Sequence, residues 1–188
     1  MTLKPRHQVV AHRLAVMIVD IQQQLLPHIN ENEGILQRAS RLLTFCRLLD
    51  LPIVVTEQYP KGLGPTVAQL TQLLPPNTER LEKTTFSCIR NDGIATALAH
   101  LGRKRVVVAG IEAHICVAQT VRDLLSCGYE VLVLSDCVGS RSPTDCAKAL
   151  DRMRDEGATI TTLEALMYET LVSSRHPQFK EFMAKVMK

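Results

Sequence analysis

Apolar residues run along this chain in two rhythms. Leu14-Ala15-Val16-Met17-Ile18-Val19 is a continuous apolar run that stops at Asp20. A strand with one wet face would show polar residues at every second position, so an unbroken run predicts a strand buried on both faces. Residues 52–56 and 105–109 carry the same kind of run. Short segments at 80–83, 130–134 and 158–161 are read as three more strands. Between them the spacing changes to three and four. Ile35, Leu36, Ala39, Leu42, Leu43, Cys46 and Leu49 lie on one face of a helix over 35–49, which Asp50-Leu51-Pro52 ends. A short helix over 67–74 stops at Pro75-Pro76, after a Gly- and Pro-rich loop over 57–66. Asp92 suits the cap of a helix over 93–101, closed by Gly102. A helix over 114–126 has Gly128 past its end, and Ser142-Pro143 opens another that runs to Glu156. Residues 163–171 and 178–187 are also helical in pattern.

Buried strands alternating with amphipathic helices predict an α/β fold of three layers, α/β/α. Its doubly wound, mostly parallel sheet is covered on both faces. The 188 residues form one domain, with no repeat or composition break. Ligands of such sheets bind at the carboxyl ends of the strands, near the switch point. Asp20, Lys83 and Cys116 each stand at or just past such an end, so one edge of the sheet can collect them.

Composition narrows the function. Hydrophobic content of 46% and charged content of 22% are ordinary for a globular protein. A net charge of +3 is too small for a nucleic-acid binder, and Lys4, Arg6, His7, His12 and Arg13 read as a solvated basic tail. No apolar run approaches the ~20 residues of a membrane span. The start of the chain lacks a signal-peptide core. The six cysteines form no Cys-x-x-Cys and no zinc-finger spacing, which fits free thiols in the cytoplasm. Asp20-Ile21-Gln22-Gln23-Gln24 lacks the glycines that would wrap a pyrophosphate, so dinucleotide binding is a poor reading.

The chemistry gathers at Cys116. It follows the strand run Val106-Val107-Val108-Ala109-Gly110 and opens a helical segment. Free N–H groups and the helix dipole there favour a thiolate, and backbone N–H groups around Glu112 to Cys116 could hold an oxyanion. A nucleophile needs a base and a group to place that base. Asp20 and Lys83 fit those roles. Each residue alone has a bland alternative: a packed thiol, a turn-capping aspartate, a solvated lysine. Their joint placement is what points to catalysis.

Val19-Asp20-Ile21-Gln22, Glu82-Lys83-Thr84-Thr85-Phe86-Ser87 and residues 109–117 resemble the signature blocks of the isochorismatase-like cysteine hydrolases. That superfamily includes nicotinamidases, N-carbamoylsarcosine amidohydrolases and isochorismatases. Residues 56–66 and 176–180 resemble the narrower group of isochorismatase domain-containing proteins. The resemblance implies a sheet of about six strands, Asp20 as base, Lys83 as its cationic partner and Cys116 as nucleophile. It implies a cis peptide at Ile111–Glu112 that aims the N–H groups of Glu112 and Cys116 at the oxyanion. Homo-oligomers, dimers or larger, are usual in the family. Nicotinamidases carry an Asp-x-His metal motif after strand two. Glu57-Gln58-Tyr59 stands there instead, so no metal and no cofactor are expected. Isochorismatases proper tend to lack the cysteine. A small amide or carbamoyl substrate is therefore expected. The alternatives are ether hydrolysis or a non-catalytic protein that binds a metabolite or partner. Gln22, Tyr59 and Phe86 are expected to shape the pocket, Cys88 lines the site or packs, and Cys127 and Cys137 pack.

Overall fold

The apolar runs form the strands of a six-stranded, all-parallel sheet with the order β3-β2-β1-β4-β5-β6. The computed structural model describes residues 9–187, so Lys4, Arg6 and His7 lie outside the described residues. The strands are β1 (Leu14–Val19), β2 (Ile53–Gln58), β3 (Arg80–Lys83), β4 (Arg105–Ile111), β5 (Glu130–Gly139) and β6 (Thr159–Thr161). The helices are α1 (Asn32–Leu48), α2 (Pro60–Leu63), α3 (Ala68–Thr71), α4 (Asp92–His100), α5 (Ala118–Ser126), α6 (Pro143–Asp155), α7 (Leu163–Leu171) and α8 (Phe179–Lys185). Among the described residues no helix is long and apolar enough to cross a membrane.

Period-two geometry splits β1 between two cores. Leu14, Val16 and Ile18 face a core built with Leu42, Phe45, Leu166 and Phe182 of α1, α7 and α8. Ala15, Met17 and Val19 face a second core built with Leu98, Val121 and Met153 of α4, α5 and α6. All six β1 residues are therefore buried, which explains why the run has no polar member.

The chain winds outward from β1 to β2 and β3, then returns to place β4 on the other flank of β1. The switch point lies between β1 and β4, and Asp20 and the residues after Ile111 sit at its mouth. Gly110 makes the two strands meet closely there. It pairs with Val19 at φ 134°, and a Cβ on it would lie 2.1 Å from the Val19 carbonyl oxygen. Only glycine fits.

Strands β2, β4 and β5 run past their predicted ends. β2 continues through Glu57 and Gln58 because these pair with Glu82 and Lys83 of β3. β5 continues through Ser135 and Asp136, polar residues that hid its extent. Ser135 Oγ donates to the Thr161 carbonyl at 3.0 Å, and Asp136 Oδ1 accepts from the Leu163 N–H at 2.9 Å. The predicted loop after β2 contains the single turn of α2, and the predicted helix over 67–74 is regular only over Ala68–Thr71. The α4 cap is Asn91, whose Oδ1 accepts from the Ile94 N–H at 3.1 Å, rather than Asp92.

Gly110→Ala should lower unfolding free energy by at least ~2 kcal/mol, because a backbone atom of β1 stands in the way of the new methyl group. Urea denaturation of the variant would measure it. A change within a few tenths of a kcal/mol would show that the strands can part there.

Candidate active site

Asp20 is where β1 stops being a strand. Its φ of 53° turns the chain out of the sheet, and its N–H donates to the Thr56 carbonyl at 3.2 Å. The side chain is fully buried and both oxygens are held. Thr56 Oγ1 donates to Oδ1 at 2.7 Å, and Lys83 Nζ donates to Oδ2 at 2.6 Å. Lys83 is the last residue of edge strand β3, so its side chain crosses over β2 to reach Asp20. Its ammonium also donates to Gln58 Oε1 at 2.7 Å and has the carbonyls of Phe86 and Thr85 at 3.2 and 3.3 Å. A buried ion pair is tolerable when its remaining hydrogen-bonding capacity is met, and here it is. Burial alone would push the Lys83 pKa down. The Asp20 carboxylate, with the sulfurs of Cys88 and Cys116 beside it, outweighs that and leaves it above the ordinary lysine value.

Cys116 closes the group from the β4 side. It lies in a wide π turn over Ala113–Val117 that precedes α5, rather than on the first turn of an α-helix. The Glu112 carbonyl accepts from the N–H groups of both Ile115 and Val117, at 3.1 and 3.2 Å. The Ile111–Glu112 peptide is cis. The thiol is nearly buried and feels the Asp20 carboxylate and the Lys83 ammonium as its charged neighbours. The helix-terminus argument for a resting thiolate does not hold. Burial first, and the Asp20 charge second, raise the thiol pKa far above its ordinary value, and the opposing pull of Lys83 does not compensate. Sulfur keeps its proton at rest. Burial, then Asp20, likewise lift the Cys88 thiol to about 11.

A buried carboxylate shared by a lysine and a cysteine at the switch point of a parallel sheet invites comparison with known proteins. The family model described as the isochorismatase domain matches residues 14–165. The chain belongs to the isochorismatase family. Isochorismatase domain-containing protein 2 of Danio rerio is 40% identical over 168 residues, covering 88% of this chain and 83% of that protein. The structure of MAR1 ribonuclease from Caenorhabditis elegans matches with a TM-score of 0.91 at 37% identity, covering 97% of this chain and 93% of that one. The fold is shared with YcaC of Escherichia coli, described as an octameric hydrolase of unknown specificity. That match has a TM-score of 0.87 at 23% identity and covers 97% of each chain.

Within this isochorismatase-family fold, the other predicted site residues divide. Gln22 is buried, and its amide is spent on backbone. Nε2 donates to the carbonyls of Gln58 and Gly64, at 3.0 and 2.6 Å, and Oε1 accepts from the Gln58 N–H at 2.7 Å. It braces the loop after β2 instead of offering a free donor to a substrate. Tyr59 and Phe86 are each more than half exposed. Tyr59 lines a cleft of about 360 Å³ with Pro60, Lys61, Lys83, Thr84 and Asn91, and neither Asp20, Cys116 nor Phe86 belongs to its walls. Glu57 is spent on Thr66, whose N–H and hydroxyl both donate to Oε1 at 2.7 Å. No three His, Cys, Asp or Glu side chains converge as a metal site among the described residues. Glu112 is buried, with Oε2 accepting from the N–H and Nε of Arg141 at 3.0 and 3.1 Å, which ties the turn to the end of β5.

Sequence reasoning missed Thr56, Gln58 and Arg141. The first two had a readable signal: they are polar residues closing an apolar strand at the sheet's carboxyl edge. Arg141 had none.

Lys83→Met should destabilise the fold by ~3–5 kcal/mol, because Asp20 would remain buried without its cation. Asp20→Asn/Lys83→Met should cost clearly less than the sum of the two single changes. Lys83 has a raised folded pKa, so its contribution is complete at neutral pH. It declines above the ordinary lysine value and is lost as pH passes the folded value. Urea titrations of the cycle would read the coupling, and additive losses would mean the pair contributes nothing as a pair.

Proposed function

We propose that this protein is a cysteine hydrolase that cleaves a C–N bond in a small amide or carbamoyl compound. The observation that carries this reading is the buried Cys116 thiol within the field of a carboxylate that Lys83 already holds in place. Asp20 takes the thiol proton as Cys116 Sγ attacks the carbonyl carbon. The oxyanion formed sits on the backbone N–H groups of Glu112 and Cys116. As the C–N bond breaks, Asp20 returns the proton to the leaving nitrogen, and ammonia or an amine departs. A thioester or thiocarbamate remains on Cys116. Asp20 then takes a proton from water, hydroxide attacks the carbonyl, and the acid leaves as sulfur regains the proton. A thiol protonated at rest suits this scheme, because thiolate forms only when a carbonyl is present to receive it.

The reading needs neither metal nor cofactor, since the base, the cation and the oxyanion donors are all protein groups. Tyr59 and Phe86 supply apolar walls at the mouth. Their exposure suits a pocket completed by a second copy, in a homo-oligomer. Six unpaired cysteines suit a reducing compartment such as the cytoplasm. RNA is the second reading, favoured by the name of the Caenorhabditis elegans structure. The charges beside the buried group fit it less well: Lys83 is committed to Asp20 and Arg141 to Glu112.

A panel of small amides, carbamoyl compounds, isochorismate and RNA would separate these readings. An amide or carbamoyl substrate should leave an acyl adduct on Cys116 after rapid quench, visible by intact mass. Cys116→Ala should abolish turnover, and Asp20→Asn should lower kcat by ~10²–10⁴-fold. Isochorismate hydrolysis undiminished in Cys116→Ala would move the protein to the ether-hydrolysing branch. Cleavage of RNA alone would overturn the small-molecule reading.

A further inference from the structure

Of the buried thiols that this mechanism leaves over, Cys88 is the one that touches the site. Cys88 begins a short 3-10 turn after β3, is wholly buried, and sits on the far side of Asp20's partner Thr56. Its sulfur lies 3.7 Å from Thr56 Oγ1, and its N–H donates to Thr120 Oγ1 of α5 at 2.9 Å. Hydrogen-bond capacity then fixes every direction. Asp20, ion-paired to Lys83, only accepts. Thr56 has one hydroxyl proton, and it is spent on Asp20 Oδ1. The Thr56 oxygen can therefore only accept from Cys88, which must be the S–H form. Asp20 is pinned at Oδ1 by this chain and at Oδ2 by Lys83, so its plane is fixed.

We propose that Thr56 and Cys88 are positioning residues. The Cys88 thiol keeps the Thr56 hydroxyl aimed at Asp20, and that hydroxyl holds the carboxylate in the orientation from which it takes the Cys116 proton. This rests on the cysteine-hydrolase reading. The titratable groups that bear on Asp20 are Lys83, Cys88 and Cys116. Removing the Thr56 donor leaves the ionised carboxylate less well solvated. The carboxylate is then free to turn out of the orientation in which it takes the Cys116 proton.

Alkylation of Cys116 by iodoacetamide, followed by mass mapping across pH in the folded protein, tests this without a known substrate. The exposed thiol of Cys127 is the internal reference. Thr56→Val should slow Cys116 labelling about tenfold across the pH range. Thr56→Ser should restore the rate to within about twofold. Cys88→Ala should slow it about threefold. A Thr56→Val profile that overlays wild type, or one that Thr56→Ser does not rescue, would overturn the proposal. If Thr56→Val does not fold, Cys88→Ala decides alone, and an unchanged profile there is fatal. Wild-type Cys116 that takes no label at any pH while Cys127 labels fully would instead sink the cysteine-hydrolase reading, and this inference with it.

Discussion

The salt bridge between Asp20 and Lys83 is the constraint around which the carboxyl edge of this sheet is arranged. Both side chains are fully removed from water. Taking two charges into the interior costs several kcal/mol each, and their attraction repays this only when every other lone pair and proton also finds a partner. That requirement explains the polar residues around them. Thr56 serves the carboxylate; Gln58 and the carbonyls of Thr85 and Phe86 serve the ammonium. Gln22 has no contact with either charge, but it holds the backbone of Gln58 and so fixes the residue that receives Lys83. An edge strand of four residues would ordinarily be the weakest part of the sheet. Here its last residue is anchored two strands away, at the end of β1.

The two cores make that anchoring rigid. β1 is packed on both faces and paired on both edges, so Asp20 leaves the sheet from the most restrained strand in the fold. Gly110 lets β4 approach that same point, and the turn carrying Cys116 begins a few residues later. The end of β5 is drawn in by the Arg141 bonds to Glu112. The ends of β1, β2, β3, β4 and β5 therefore converge on one edge of the sheet.

Much of this was legible in the sequence because its causes are local. An apolar run such as 14–19 states its own burial, and Ser142-Pro143 states a helix start that the structure keeps, with Ser142 Oγ accepting from the Asp145 N–H at 3.2 Å. The edge residues Asp20, Lys83 and Cys116 were visible because each closes or follows a strand. What stayed hidden depends on partners remote in the chain. Ser135 and Asp136 look like a strand's end until Thr161 and Leu163 are seen to use them. Gln22 looks like a substrate donor until Gln58 and Gly64 absorb it. The π turn at Ala113–Val117 has the apolar spacing of a helix, and one-residue differences in hydrogen bonding leave no mark on that spacing. The thiolate expectation failed for a separate reason: burial and the Asp20 charge outweigh the pull of Lys83 on the sulfur.

Charge balance connects the protonated thiol to the buried pair. At rest the site holds one carboxylate, one ammonium and one neutral thiol, so its net charge is zero. A resting thiolate would add an uncompensated negative charge beside Asp20 in a dry interior, and burial and that carboxylate hold the proton on sulfur. On the proposed mechanism, attack moves the proton to Asp20 and the negative charge to the carbonyl oxygen. Asp20 becomes neutral, the oxyanion appears against backbone N–H groups, and Lys83 remains the counter-cation. The net charge stays at zero throughout. Lys83 needs no proton transfer of its own for this, and its raised pKa keeps it from giving one up. A lysine so placed makes the aspartate affordable in the folded state and balances the oxyanion during reaction, by one unchanging charge.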